Sequence, residues 1–265
     1  MSISAEASVE RGDWNNAAIR YGNLSEVELV LGNLDKAIAT ARKAVDYADQ
    51  SQEWRQRVGR RTELADALHQ SGKLVEAEQV FVEAEQLLAV QMPSQPLLSG
   101  IWGYRYCDLL INQGRTDEVV ERASQTLRWD KEKRTLISIG LDHLSLGRAQ
   151  IAGSGEAIYH ISQAVRLLRQ AGTYHHLPRA LLSQGSHQAL EEARRMAVRS
   201  RMRLYLADYY LALARLAHLN GDRRLAQTHF AMGNALIQET GYHRRDSEVE
   251  MMRIELIHTQ QQGIS

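Results

Sequence analysis

The chain has 265 residues, of which 44% are hydrophobic, and this composition supplies a large core and excludes a disordered chain. Its 32 basic and 32 acidic residues cancel, which removes the general electrostatic attraction to nucleic acid or to an anionic membrane. The single cysteine excludes an internal disulfide, and the scarcity of proline and phenylalanine favours helices over an all-β fold.

One repeated phrase organises the sequence: an apolar helix ends at a glycine, and a second helix begins a few residues later. The glycines of this phrase are Gly32, Gly72, Gly114 and Gly221. The chain must reverse direction there, and the positive φ that this requires is accessible to glycine at little cost. Each second helix carries small residues on one face, which allows close packing. The phrase therefore predicts a series of antiparallel helix pairs that stack on one another.

In chain order the predicted units comprise residues 13–51, 52–92, 97–131, 132–172, a degenerate unit at 176–201 and a last unit at 202–243, followed by a capping helix at 245–262. The degenerate unit is short because its first helix has only about two turns before Gly185. We expect this shortening to open a notch beside His175 and His176. Residues 1–265 are thus predicted to form a single array of about five or six helix pairs.

The second unit has Gly72, Ala77, Phe81 and Ala84 at positions typical of the tetratricopeptide repeat. The chain resembles this family over roughly residues 15–245, although its units are longer than the usual repeat of about 34 residues. Phrases such as GYRYCDLLINQGR are similar to the extended arrays at the C-terminus of bacterial signal-transduction ATPases. The resemblance implies an all-α, right-handed α/α superhelix whose concave face binds a protein or peptide.

Counting back from each glycine places a set of side chains on or near that concave face. They are Asn23, Glu26, Glu63, Asp66, Tyr104, Arg105, Asp108, Asp142, His143 and Arg215. Tyr104 and Arg105 lie in an aromatic cluster with Trp102 and Tyr106, which could anchor a partner or belong to the core between repeats.

Three successive units carry an acid at the equivalent position, and we call these residues, Glu26, Asp66 and Asp108, the acidic row. Aligned carboxylates in a groove would favour a partner with basic or amide groups. The alternative is that the acids pair with Arg60, Arg61 or Arg105 of neighbouring helices and only fix the register of the repeats.

The sequence contains no HExxH, Walker-type or GxSxG motif, so we expect no catalytic residue, metal or cofactor. Cys107 lies on an apolar helix face and is predicted to be core. No apolar run approaches the about 20 residues of a membrane span, and the first residues lack the pattern of a signal peptide. We therefore expect a cytoplasmic protein with no membrane or nucleic-acid partner.

These observations favour a non-catalytic module that binds a protein or peptide along the concave face. One alternative, which the resemblance implies, is the ligand-sensing or regulatory part of a signal-transduction ATPase or transcription regulator. The other is a structural scaffold that self-associates through its uncovered N-terminal end.

Overall fold

The computed structural model describes the backbone of residues 2–129 and 135–262 and the side chains of residues 4–129 and 135–256. Within these ranges all regular secondary structure is helical, so the prediction of an all-α chain is confirmed. The α-helices are α1 (Ser2–Glu10), α2 (Trp14–Val30), α3 (Leu34–Ser51), α4 (Trp54–Gln70), α5 (Leu74–Gln91), α6 (Gly100–Asn112), α7 (Thr116–Arg128), α8 (Leu136–Ala149), α9 (Gly155–Gln170), α10 (Leu177–Gln184), α11 (His187–Arg199), α12 (Arg203–Leu219), α13 (Arg223–Thr240) and α14 (Asp246–Gln262). A short 3₁₀ helix, His243–Arg245, joins α13 to α14.

Tight glycine turns join the two helices of a pair. Gly32 and Gly72 both have φ of 81°, and Gly114 and Gly221 have φ of 76° and 77°. The Gly32 N–H donates to Leu29 O at 3.0 Å, and the corresponding bond recurs at the other three glycines. These turns supply hydrogen bonds to carbonyl groups that would otherwise have no partner at the end of the first helix. The predicted boundary between the third and fourth units, at residues 131 and 132, lies outside the described residues.

Helices that follow one another in the chain pack together, and small residues line the contacts. Ala37, Ala41 and Ala44 of α3 are fully buried, as the face of small residues predicts. The buried side chains form three apolar clusters, the first centred on α4 to α6, the second on α8 to α10 and the third on α12 to α14. None of the described helices combines the length and apolar character that crossing a membrane requires.

The two ends of the array contact each other. Leu34 of α3 belongs to the same apolar cluster as Leu204 and Leu211 of α12, and Leu29 packs against it. The helix pair α2–α3 would otherwise leave part of its apolar surface in water, because stacked pairs need neighbours on both sides. The sequence predicted an open concave face. The structure instead encloses part of that face, because the first and last pairs cover each other.

The N-terminal helix α1 packs against α2 and buries Ala5 and Ser8. Self-association through this end of the chain stays a prediction.

Substituting Gly32 tests whether the two ends of the array contact each other in solution. Gly32→Ala and Gly221→Ala should each cost about 1–2 kcal/mol, because both residues have a left-handed backbone. A β-carbon on Gly32 would also lie 2.6 Å from Thr240 Cγ2, whereas no described atom lies within 4 Å of one on Gly221. We therefore expect the free energy of unfolding, measured by urea denaturation, to fall by about 1–3 kcal/mol more in Gly32→Ala than in Gly221→Ala. Equal losses would show that the ends do not touch in solution.

Candidate ligand-binding cavity

Two acids of the acidic row share one arginine. Arg105 of α6 forms an ion pair with Glu26 of α2 through Nη2, and its Nε lies 3.4 Å from Asp66 Oδ2 of α4. Burial opposes the charge of Arg105, but the neighbouring Glu26 and Asp66 raise its pKa above the usual value. Burial raises the pKa of Asp66, although Arg105 and a hydrogen bond from Gln70 oppose the shift. The arginine therefore ties together three successive first helices of the array.

Asp108, the third acid of the row, is 3% exposed and has two arginine partners. Arg148 of α8 binds Oδ1, and Arg244 of the 3₁₀ helix donates to both carboxylate oxygens, with Nη2 2.8 Å from Oδ1. Arg244 also donates from Nη1 to Gln70 Oε1 at 3.1 Å. Burial disfavours the charged carboxylate, but Arg148 and Arg244 hold the pKa of Asp108 well below its usual value.

A second buried acid, Asp208 of α12, is held in a similar way. Arg179 of α10 donates from Nη1 to Asp208 Oδ2 at 2.9 Å, and Arg245 donates from Nε to Oδ1 at 2.8 Å. The Tyr242 hydroxyl lies 3.3 Å from Oδ2. The repeat pattern does not predict this cluster, because its arginines come from a short helix and from the turn after the last unit. The run of tyrosine, histidine and two arginines at residues 242–245 was the signal that could have found it.

The internal pairing predicted as the alternative is present, with some different partners. Arg105 pairs with the acidic row as named, whereas Arg61 binds Asp49, with Nη1 2.8 Å from Oδ1. Arg60 lies 2.8 Å from Glu63 Oε2. Burial raises the pKa of Glu63 to about 7, although Arg60 and Arg105 oppose the shift. The row thus forms part of a buried network of ion pairs.

The other predicted residues lie apart from this network. Asp142 is buried in α8, and the neighbouring His143 has its Nδ1 2.7 Å from Nδ1 of His160. Arg215 is exposed and lies 2.9 Å from Glu248 Oε1. Asn23 is exposed on α2. The structure therefore does not gather the ten predicted residues into one surface.

A cavity of about 330 Å³ lies between the first helices of the units, and we call it the central cavity. Its apolar wall consists of Leu29, Val30, Ile101, Ile137, Met202 and Leu204. Its polar wall includes Glu26, Asp66, Tyr104, Arg105, Asp108 and Arg179. Five of the ten predicted residues therefore meet here. The walls come from α2 and α4 at one end of the array and from α10 and α12 at the other, so the cavity depends on contact between the ends.

A larger space of about 1000 Å³, the outer groove, lies between α2 and α11. Asn23, Val27, Arg195 and Arg199 line it, and it shares Val30 and other residues with the central cavity. The groove therefore connects the cavity to solvent beside the shortened unit, where the sequence predicted a notch.

Two titratable rings that line the cavity, those of His176 and Tyr104, have shifted pKa values. Burial lowers the pKa of His176 to about 4 and raises that of Tyr104, so both are uncharged near neutral pH. Burial likewise raises the pKa of the Cys107 thiol to about 12, which keeps it protonated and a poor nucleophile. Within the described residues, no group of three or more histidine, cysteine or acidic side chains is placed to hold a metal ion. The charged groups of the polar wall are therefore arginines and carboxylates.

Comparison with known proteins leaves the family open, because no protein-family model matches the chain and no curated protein is significantly similar to it.

Replacing Arg244 tests the buried network. Arg244→Met should lower the free energy of unfolding, measured by urea denaturation, by about 3–5 kcal/mol. The reason is that it removes one of the two positive charges that compensate buried Asp108. The control is Arg253→Met, which removes an exposed pair with Glu250 and should cost less than about 1 kcal/mol. Similar losses in the two variants would contradict the network.

Glu63 should make stability depend on pH. Its pKa is higher in the folded chain than in the unfolded chain, so folding takes up a proton at Glu63 between about pH 4.5 and 7. As the pH rises from about 5 to 8, the free energy of unfolding of the wild type should therefore fall by up to about 3 kcal/mol relative to that of Glu63→Gln. His176, whose pKa is lowered, acts in the opposite direction in both proteins, and the difference between them cancels its effect. Glu83→Gln, at a 60% exposed position, should follow the wild type. Parallel profiles for Glu63→Gln and the wild type would refute the prediction.

Proposed function

We propose that the chain is a non-catalytic binding module, built as a right-handed superhelix of the tetratricopeptide type, that senses a small ligand held in the central cavity. The observation that carries this proposal is the cavity itself. Its volume of about 330 Å³ falls within the range of small-molecule sites. It combines a continuous apolar wall with a few convergent charged groups, which is the usual composition of such sites.

The buried network disfavours the simpler proposal of a peptide held along the acidic row. Glu26, Asp66 and Asp108 already have arginine partners from the same chain. A basic peptide bound along the whole row, including buried Asp66 and Asp108, would have to displace Arg105 or Arg244, and this would leave a buried guanidinium without its counterion. The cost of that exchange exceeds the gain expected from new pairs at a partly exposed surface.

A sensing role follows from the position of the cavity. Val30 of α2 and Met202, which precedes α12, face the same space from opposite ends of the array. A ligand in contact with both binds the closed form better than a form whose ends are apart. By linkage, the ligand then stabilises the closed form in proportion to that difference in affinity. An adjoining domain could read the change as a signal.

The outer groove favours a second candidate function, the binding of a peptide or protein segment. Its volume of about 1000 Å³ lies at the upper end of the range of small-molecule sites, and Tyr174, at 69% exposure, offers an aromatic contact among its lining residues. Such a segment would lie in the groove and not along the acidic row.

Tryptophan substitutions separate the two candidates. Val30→Trp fills the space shared by the cavity and the groove, Val27→Trp narrows only the groove, and Val75→Trp adds a ring at a 73% exposed position elsewhere. A screen of small metabolites by thermal shift should find compounds that raise the Tm of the wild type. We expect Val30→Trp to abolish this shift, while Val27→Trp and Val75→Trp retain it.

Circular dichroism of each variant checks that the helices are intact. A peptide that binds the wild type but neither Val27→Trp nor Val30→Trp would support the groove instead. A Tm shift that persists in Val30→Trp would contradict binding in the central cavity.

A further inference from the structure

Charge is unevenly distributed around the central cavity. On the side formed by α2 and α4, three acids, Glu26, Glu63 and Asp66, lie near two arginines, Arg60 and Arg105. Glu26 pairs with Arg105 through Oε1, yet its side chain is 45% exposed. Among the described residues, this side therefore has more acids than bases, and Glu26 is accessible from the cavity and the groove. A positively charged group would be favoured there.

The opposite side, formed by α8, α10 and the 3₁₀ helix, has the reverse imbalance. Its four arginines pair with three acids, Asp108, Asp208 and Glu248. They are Arg148, Arg179, Arg244 and Arg245. A negatively charged group of a ligand would be favoured at this side.

Arg179 is the group of this basic side that lines the cavity. It is only 7% exposed, and its guanidinium lies 5.0 Å from the centre of the Tyr205 ring. Nη1 donates to Asp208, but Nε is buried with no hydrogen-bond partner among the described residues. A buried donor without a partner carries a desolvation cost that a ligand carboxylate could remove. Arginine also binds carboxylates with a preferred planar geometry.

Part of the remaining cavity wall is apolar. Leu29, Val30, Ile137 and Met202 line this part of the cavity and offer no charged group. A ligand that bridges the sides must therefore place apolar atoms against these residues, because a polar group there would lose its hydrogen bonds to water without replacement.

We propose that the ligand of the central cavity is a zwitterion with an apolar side chain, that is, an apolar α-amino acid or a dipeptide of such residues. Its carboxylate binds Arg179, its ammonium group binds the exposed part of the Glu26 carboxylate without displacing Arg105, and its side chain packs against the apolar wall. This inference rests on the proposed function, because it names the chemical class of the ligand for the same cavity.

Calorimetry on the wild-type chain tests the inference. The probes are L-valine, L-leucine, L-isoleucine, L-methionine, L-phenylalanine and leucyl-leucine. The best binder is then compared with its amide, which lacks the carboxylate, and with its counterpart that lacks a charged amino group. Each change should weaken binding at least about tenfold, because each removes one charge-assisted contact. Single amino acids and the dipeptide serve as separate arms, and binding of either supports the inference.

Variants assign the two ends of the ligand. Arg179→Met should bind the parent probe and its amide equally, and Glu26→Gln should bind the parent probe and its amine-deficient counterpart equally. Arg42→Met removes an exposed ion pair with Glu76 outside the cavity and should keep both preferences. If Arg179→Met does not fold, Arg179→Lys replaces it and should retain part of the preference for the carboxylate. The comparison of the parent probe with its two analogues on the wild type tests the need for both charges without any variant.

Three outcomes would overturn the inference. Equal affinity of the wild type for the parent probe and both analogues would show that the two charges of the ligand do not contribute to binding. Absence of binding by all zwitterionic probes, with a different metabolite bound and lost in Val30→Trp, would refute the zwitterion while the proposed function stands. If no small molecule binds at all, both fall.

Discussion

The enclosure of the inner face depends on the contact of Arg244 with Asp108, two residues separated by 136 positions in the chain. A guanidinium that is 2% exposed must have compensating partners, and Asp108 and Gln70 supply them. Arg244 belongs to the turn after the last helix pair, whereas Asp108 lies in the middle of the array. Their pairing therefore fixes where the end of the chain sits, and the central cavity exists only in that arrangement.

Apolar burial and ion pairing play different roles in this closure. The cluster that joins Leu34 to Leu204 and fully buried Tyr242 removes apolar surface from water, which provides most of the free energy. Buried ion pairs contribute less net stability, because desolvation offsets much of their attraction. Their geometry is nevertheless restrictive, since a misplaced arginine would be buried without a partner. The apolar contacts therefore favour closure, and the arginines select one register for it.

The features that the sequence predicted correctly are local. Helix periodicity and the glycine at each turn are set within a few dozen residues, so the turns at Gly32 and Gly221 and the burial of Cys107 follow from the pattern. The closure is not local. No periodicity indicates that Arg244 reaches Asp108, and the concave-face positions were therefore assigned as if the face were open. The acidic row was recognised as a set of related residues, but its partner Arg244 comes from the turn after the last unit, which the pattern treats as distant.

The shortened unit gives the enclosed interior its opening. Helix α10 has only 8 residues, and the outer groove lies where a longer first helix would contribute another wall. Arg179, one of the residues with an unpaired buried donor, lies in this short helix and lines the central cavity. A ligand that enters here meets Arg179 on one side and Glu26 on the other, which belong to opposite ends of the array. Its contacts would therefore add to those that already hold the ends together, and recognition and closure would be coupled through the same side chains.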